Sequence, residues 1–139
     1  MAEQTNSSDL ATAFPDHPFF ESLLKSADKR GDRVMIDDSD RGIVADYNRF
    51  FRDVVSFRQK IGELLPPEVM DENGFVREDK EAYICALFPA SYYSMVAFIA
   101  TVSIRAVSVA LCKANSFLFP DFAQERHCSR YLIRLVLKL

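Results

Sequence analysis

The stretch from Ala82 to Leu111 limits the choice of fold more than any other. Ala82 to Phe88 is an almost unbroken apolar run of strand length, closed by Pro89. Such a run fits a strand buried on both faces, as in a parallel sheet. Ser91 is placed to cap a helix, and Tyr92 to Ile104 is apolar nearly all round, so that helix should be well buried. Arg105 interrupts, and Val107 to Leu111 reads as a second buried strand. Strand, helix, strand at this spacing is a parallel α/β unit, and the expected fold class is α/β. Such a unit needs further strands and covering layers, and the rest of the sequence supplies few.

One rival reading concerns the same residues. Tyr92 to Leu111 has about the roughly 20 residues that a bilayer span requires. Ser91, Ser94, Thr101, Ser103 and Arg105 break it up, and no strong charge asymmetry flanks it. A buried helix plus strand is the better reading.

Upstream, order is expected from about Phe14. Asp16 is a candidate cap for a helix with Pro18 in its first turn, apolar positions at Phe19, Phe20, Leu23, Leu24 and Ala27, and Gly31 as a stop. Lys25, Lys29 and Arg30 fall late in it, where cations suit the helix dipole. Val34–Ile36 and Ile43–Ala45 read as two short strands around the turn Asp37-Asp38-Ser39-Asp40-Arg41-Gly42. Asp46 is a second candidate cap. Phe50, Phe51, Val54, Val55, Phe57, Ile61, Leu64 and Leu65 then make an apolar helical stripe, ended by Pro66-Pro67. Glu68 to Glu81 is polar, with Asn73-Gly74 as a turn, and reads as an exposed loop. Residues 1–13 are polar and small and read as a disordered leader, with no signal-peptide pattern.

Several short words in this sequence resemble a known family. His17-Pro18-Phe19-Phe20, Leu23-Leu24, Ala27 and Gly31-Asp32-Arg33-Val34 are similar to the opening of AMP-forming acyl-CoA synthetases, members of the adenylate-forming enzymes. Asp46-Tyr47 with its helix, Ala82 to Ser91, and Ala97 to Leu111 resemble three further segments of that family, in order. The resemblance covers residues 14–111 and implies the N-terminal subdomain of the adenylate-forming fold. In that family a carboxylate attacks ATP to give an acyl-adenylate, and coenzyme A then displaces AMP, with magnesium offsetting phosphate charge. Such chemistry needs a Gly/Ser/Thr-rich loop with a lysine around the phosphates. Gly31, Gly42, Gly62 and Gly74 are isolated, and no run here resembles that loop. The resemblance therefore assigns no catalytic, cofactor-binding or metal-binding residue. ATP, coenzyme A and magnesium belong to the parent family, and none is expected for this chain. The expectation is a truncated acyl-CoA ligase, inactive alone. Two positions depart from the pattern: Arg105 stands where the family usually has Gly, and Ala110 where it usually has Pro. Arg can make a tight helix-to-strand turn only at negative φ or at a cost in strain.

After Leu111 the resemblance stops, which fits a shifted reading frame, an unspliced intron or an alternative transcript. Residues 112–139 form a divergent tail. Asp121 is placed to cap a helix to the end, with Phe122, Cys128, Tyr131, Leu132, Leu135 and Val136 on one side and Arg126, Arg130, Arg134 and Lys138 as a basic stripe. Residues 113–139 carry five Lys/Arg against two Asp/Glu, and the remainder twelve against eighteen, so an acidic body carries a basic tail. That balance argues against nucleic acid as a partner. The partners to consider are a full-length homologue or self-association, and membrane contact by the tail is the weaker alternative.

Other candidate sites read as structural. Cys85, Cys112 and Cys128 have no CxxC pairing and are expected to be reduced thiols of an intracellular protein, cytoplasmic by default. Leu137-Lys138-Leu139 only loosely resembles a peroxisomal signal. His127 beside Cys128 lacks an acidic partner in sequence, and Asp37, Asp38 and Asp40 lack the glycine and distal glutamate of a calcium loop.

Overall fold

The computed structural model describes residues 13–86, 90–110 and 130–135. Within them the chain is mixed α/β. Helix α1 spans Pro18–Arg30, strands β1 and β2 span Val34–Asp38 and Ile43–Asp46, and helix α2 spans Tyr47–Leu64. Strand β3 covers Glu81–Ala86, helix α3 Tyr92–Ser103, strand β4 Val107–Ala110 and strand β5 Arg130–Leu135. No helix among the described residues is long and apolar enough to cross a membrane.

Helix α1 starts one residue later than Asp16 would place it. Pro18 occupies the first helical position, so the cap falls on His17, whose extended backbone lets Nδ1 accept the Phe19 N–H at 3.1 Å. Gly31 ends the helix, but not through a left-handed turn: its φ of −46° is right-handed. What favours glycine there is proximity, because an added Cβ would stand 2.9 Å from Asn48 Nδ2. Asn48 also donates its N–H to the Gly31 carbonyl at 3.2 Å, tying the end of α1 to the start of α2.

Strands β1 and β2 pair antiparallel, as the sequence suggests, with a bulge between Val34 and Ile36. A short 3₁₀ turn, Ser39–Arg41, joins them, and Gly42 takes the left-handed conformation at φ 70°. Asp46 caps α2 as expected, its Oδ1 accepting the Arg49 N–H at 2.7 Å.

The apolar stripe of α2 becomes the centre of the core. Phe50, Phe51, Val54 and Ile61 are buried on it. Phe51 meets Phe14 edge-on with centroids 5.6 Å apart, Phe14 lies 5.2 Å from Phe20 of α1, and Phe50 meets Tyr92 of α3 at 6.2 Å. Ala82 and Ile84 of β3 and Val96, Ile99 and Ala100 of α3 complete that core. Two hydroxyls are buried with them. Both return to their own helix backbone, Thr101 Oγ1 to the Ala97 carbonyl (2.8 Å) and Ser103 Oγ to the Ala100 carbonyl (2.7 Å).

The segment between α2 and β3 is not the exposed loop its polarity suggests. A 3₁₀ turn over Pro67–Val69 is followed by a bridge from Met70 to Val76, and Val69, Phe75 and Val76 are buried. Asp71 organises the tip, its Oδ1 accepting the N–H groups of Asn73 and Phe75 at 2.9 Å each. Three apolar residues among many charges are a weak periodic signal, and tertiary contact decides where they go.

The β3–α3–β4 unit is parallel as expected, with Tyr83 opposite Val107 and Cys85 opposite Val109. A third strand completes the sheet in the order β4-β3-β5, β5 also running parallel to β3. This corrects the expected C-terminal helix: residues 130–135, placed on a basic amphipathic helix by their spacing, form a strand. Tyr131, Leu132 and Ile133 have strand propensity, and β3 offers an open edge of backbone donors and acceptors to pair with. Residues 1–12, 87–89, 111–129 and 136–139 lie outside the described residues, and with them all of the leader but Ala13, Pro89, Cys112, His127, Cys128, the tail cap at Asp121 and the terminal tripeptide.

Candidate functional site

Three groupings of side chains could bear function. The first gathers at the N-terminus of α3. Ser94 Oγ accepts the Ser91 N–H at 3.1 Å and donates to the Ser91 carbonyl at 2.6 Å. Ser91 is the cap by position. The free amide of the first turn is met from elsewhere: Tyr92 N–H donates to Asp38 Oδ2 at 2.9 Å. Asp38 also takes Arg41 Nη1 on its other oxygen at 3.2 Å. The amide bond and the guanidinium together hold the Asp38 carboxyl below the usual carboxylate range. In the sequence Asp38 is one of three acids in the turn after Val34–Ile36. The structure makes it the distant cap of α3, a role with no local signal because its partner is 54 residues away.

Tyr92 continues the same network. Its hydroxyl donates to Asp53 Oδ2 at 2.7 Å, and Arg49 places its guanidinium 5.7 Å from the ring centroid and 3.9 Å from that carboxylate. Burial, then the Asp53 carboxylate, push the Tyr92 phenol well above its usual range. A phenol held neutral is a hydrogen-bond donor and a poor general base, so the network joins α2 to α3 instead of presenting a reactive group.

The second grouping surrounds Phe75. Arg58 from α2 lies 5.1 Å from its ring centroid and donates Nη2 to the Gly74 carbonyl at 3.1 Å. Arg105, just after α3, lies 4.9 Å from the same centroid. Arg105 has φ 62°, the one non-glycine residue with positive φ among those described. Of the two routes the sequence left open for this turn, the chain takes the strained one.

The third feature is an exposed apolar face. Helix α3 carries no charged residue, and it is not buried all round as its composition suggests: Met95 is 47% and Phe98 46% exposed, and Tyr93 is exposed on a different side of the helix. Met95, Phe98 and half-buried Val102 recur three and four apart, so they line one stripe. Val107 at the start of β4 is exposed as well.

Nothing among the described residues assembles a phosphate cradle. Gly42 and Gly74 have positive φ in separate turns, Gly62 lies within α2, and Gly31 ends α1. No group of three or more metal-ligating side chains occurs among the described residues. Asp37 accepts the Ser39 N–H at 3.0 Å, which with the Asp38 contacts commits that acidic turn to structure. Cys85 is half-buried on β3. Two shallow grooves run along α1, one past Glu21, Lys25 and Lys29 and one past Phe14, His17 and Leu24, and neither is lined by a residue of the three groupings.

Comparisons with protein-family models, with curated proteins and with solved structures find no match.

Proposed function

We propose that this chain is a non-catalytic α/β unit of the kind that opens an AMP-forming acyl-CoA synthetase, and that it works by docking on another protein, a full-length homologue being the first partner to test. The observation that carries the docking half is the exposed stripe of Met95, Phe98 and half-buried Val102 on an uncharged helix. A contiguous apolar patch on a rigid helix marks an interaction site more often than isolated exposed residues do. The family half rests on the resemblance of residues 14–111 to the synthetase opening, with which a mixed α/β chain is compatible.

The absence of a Gly-rich loop with a lysine from the 139 residues supports the non-catalytic reading. Substrate acid, ATP, coenzyme A and magnesium would be handled by the partner. Size-exclusion chromatography of the purified chain mixed with a full-length synthetase tests the docking. Co-elution that is lost in the Met95→Ser/Phe98→Ser variant is the expected result. Separate elution of the wild-type chain, or co-elution unaffected by the double substitution, would count against the reading.

A further inference from the structure

We infer that residues 66–80 form a strap that locks the α3–β4 turn in its left-handed conformation, giving the turn a strapped and a released state. The inference does not rest on the docking reading above.

The turn is strained by itself. A long side chain at φ 62° is disfavoured, because Cβ crowds the following carbonyl oxygen. Nothing within the turn compensates. The backbone bonds Ile104 N–H to Thr101 carbonyl (3.3 Å), Arg105 N–H to Val102 carbonyl (3.1 Å) and Ala106 N–H to Thr101 carbonyl (3.3 Å) would form equally well around a glycine. The compensation comes from the segment after α2. Val76 N–H donates to the Ile104 carbonyl at 2.8 Å, and the Phe75 ring receives the Arg105 guanidinium at 4.9 Å. Both contacts exist only while the strap lies across the turn.

The strap has its own anchors. Its far side is pinned to α2 by Arg58, which donates to the Gly74 carbonyl and stacks on the same ring at 5.1 Å. Arg58 Nε is buried without an acceptor among the described residues, and the electron-rich ring is the compensation the structure offers that guanidinium. Burial lowers the Arg58 pKa, with the Asp71 charge opposing that shift. Arg77 N–H to Val69 carbonyl (2.9 Å) and Asp71 N–H to Phe75 carbonyl (2.7 Å) close the strap on itself. Phe75 is thus the single ring on which α2, the strap and the turn converge. Releasing it frees Arg105 to return to negative φ, which changes the direction in which the chain enters β4. That strand is only four residues long and pairs through β3, so its docking depends on how the turn aims it.

Amide hydrogen exchange in the full chain tests the strap. The Phe75→Leu substitution keeps an apolar side chain and removes the π face. Exchange at Val76 and Ala106 should rise together by about five- to thirtyfold, the change two cation–π contacts of ordinary strength would give. Exchange at Val54 and Ile61 within α2 should stay unchanged. In the Arg105→Gly background the turn no longer needs holding, so Phe75→Leu should speed Val76 while leaving Ala106 as it was. If Phe75→Leu fails to fold, Arg58→Lys serves instead. It keeps the charge, loses the planar stack, and should give the same pattern at about threefold. A response at Val76 without one at Ala106 in the otherwise wild-type chain would overturn the inference. So would an equal rise at the α2 amides, or an Ala106 response that persists in the Arg105→Gly background.

Discussion

Replacing Arg105 separates backbone strain from side-chain contact, because Gly and Ala lose the same contact and differ in how they tolerate positive φ. Arg105 sits at φ 62°. A left-handed conformation costs a residue with a Cβ about 1–2 kcal/mol. Arg105→Ala keeps that strain and loses the interaction with Phe75, a partly exposed cation–π contact of about 0.5–1 kcal/mol, so it should destabilise by that amount. Arg105→Gly loses the same contact and releases the strain, but its unfolded chain is more flexible by about 0.5–1 kcal/mol. These terms nearly cancel, so Arg105→Gly should lie close to wild type and above Arg105→Ala by about 0.5–1 kcal/mol. For a domain of this size that is a melting-point difference of about 2–5 °C. Urea unfolding followed by far-ultraviolet circular dichroism reads it directly, with the slope checked for constancy so that the midpoint reports stability. A protein with Arg105→Ala as stable as, or more stable than, one with Arg105→Gly would refute the left-handed turn and the strain argument with it.

Phe51→Ala removes a fully buried ring that packs on Phe14 and Phe50, and should cost about 3–5 kcal/mol in a chemical-denaturation measurement. Against a total of about 5–15 kcal/mol that loss leaves a marginal protein. Gly42→Ala meets no atom within 4 Å and suffers only from φ 70°, so its melting point should fall by the equivalent of about 1 kcal/mol. Asp38 has a depressed pKa in the folded state, so its contribution is present above the unfolded carboxylate pKa and is lost as pH falls through the folded value. Asp38→Asn should lower stability at neutral pH and flatten this acid limb when denaturation midpoints are plotted against pH. Met95→Ser/Phe98→Ser alters two exposed side chains and should shift stability by under about 0.5 kcal/mol each by thermal melting, so any loss of partner binding reports on the surface and not on the fold.

Much of the fold was legible because local chemistry and tertiary demand agree. Asp46 before an amphipathic run, Pro66-Pro67 after it, and a continuous apolar strand ahead of an apolar helix each point one way, and α2 and the parallel β3–α3–β4 unit form accordingly. The misreadings arise where partners are distant. Asp38 looks like one of several surface acids until Tyr92 arrives from 54 residues away. The segment holding Phe75 looks polar because its three buried residues have no period, and only contact with Arg58 and Arg105 reveals its place. Residues 130–135 have alternating as well as helical apolar matches, and an open β3 edge favours the strand. At the candidate site, the apolar composition of α3 was visible, but which stripe stays exposed depends on where α2 and the sheet press against it. Arg105 was visible as an irregularity, and its conformation was not, since both signs of φ were compatible with the sequence.

ATP–pyrophosphate exchange tests most directly the proposal that this chain does not activate carboxylic acids. The purified chain is incubated with ATP, magnesium and labelled pyrophosphate across a panel of carboxylic acids from acetate to long-chain fatty acids. Exchange no faster than in the protein-free blank, for every acid, is the expected result. Carboxylate-dependent exchange above the blank that tracks the folded chain through purification would contradict it.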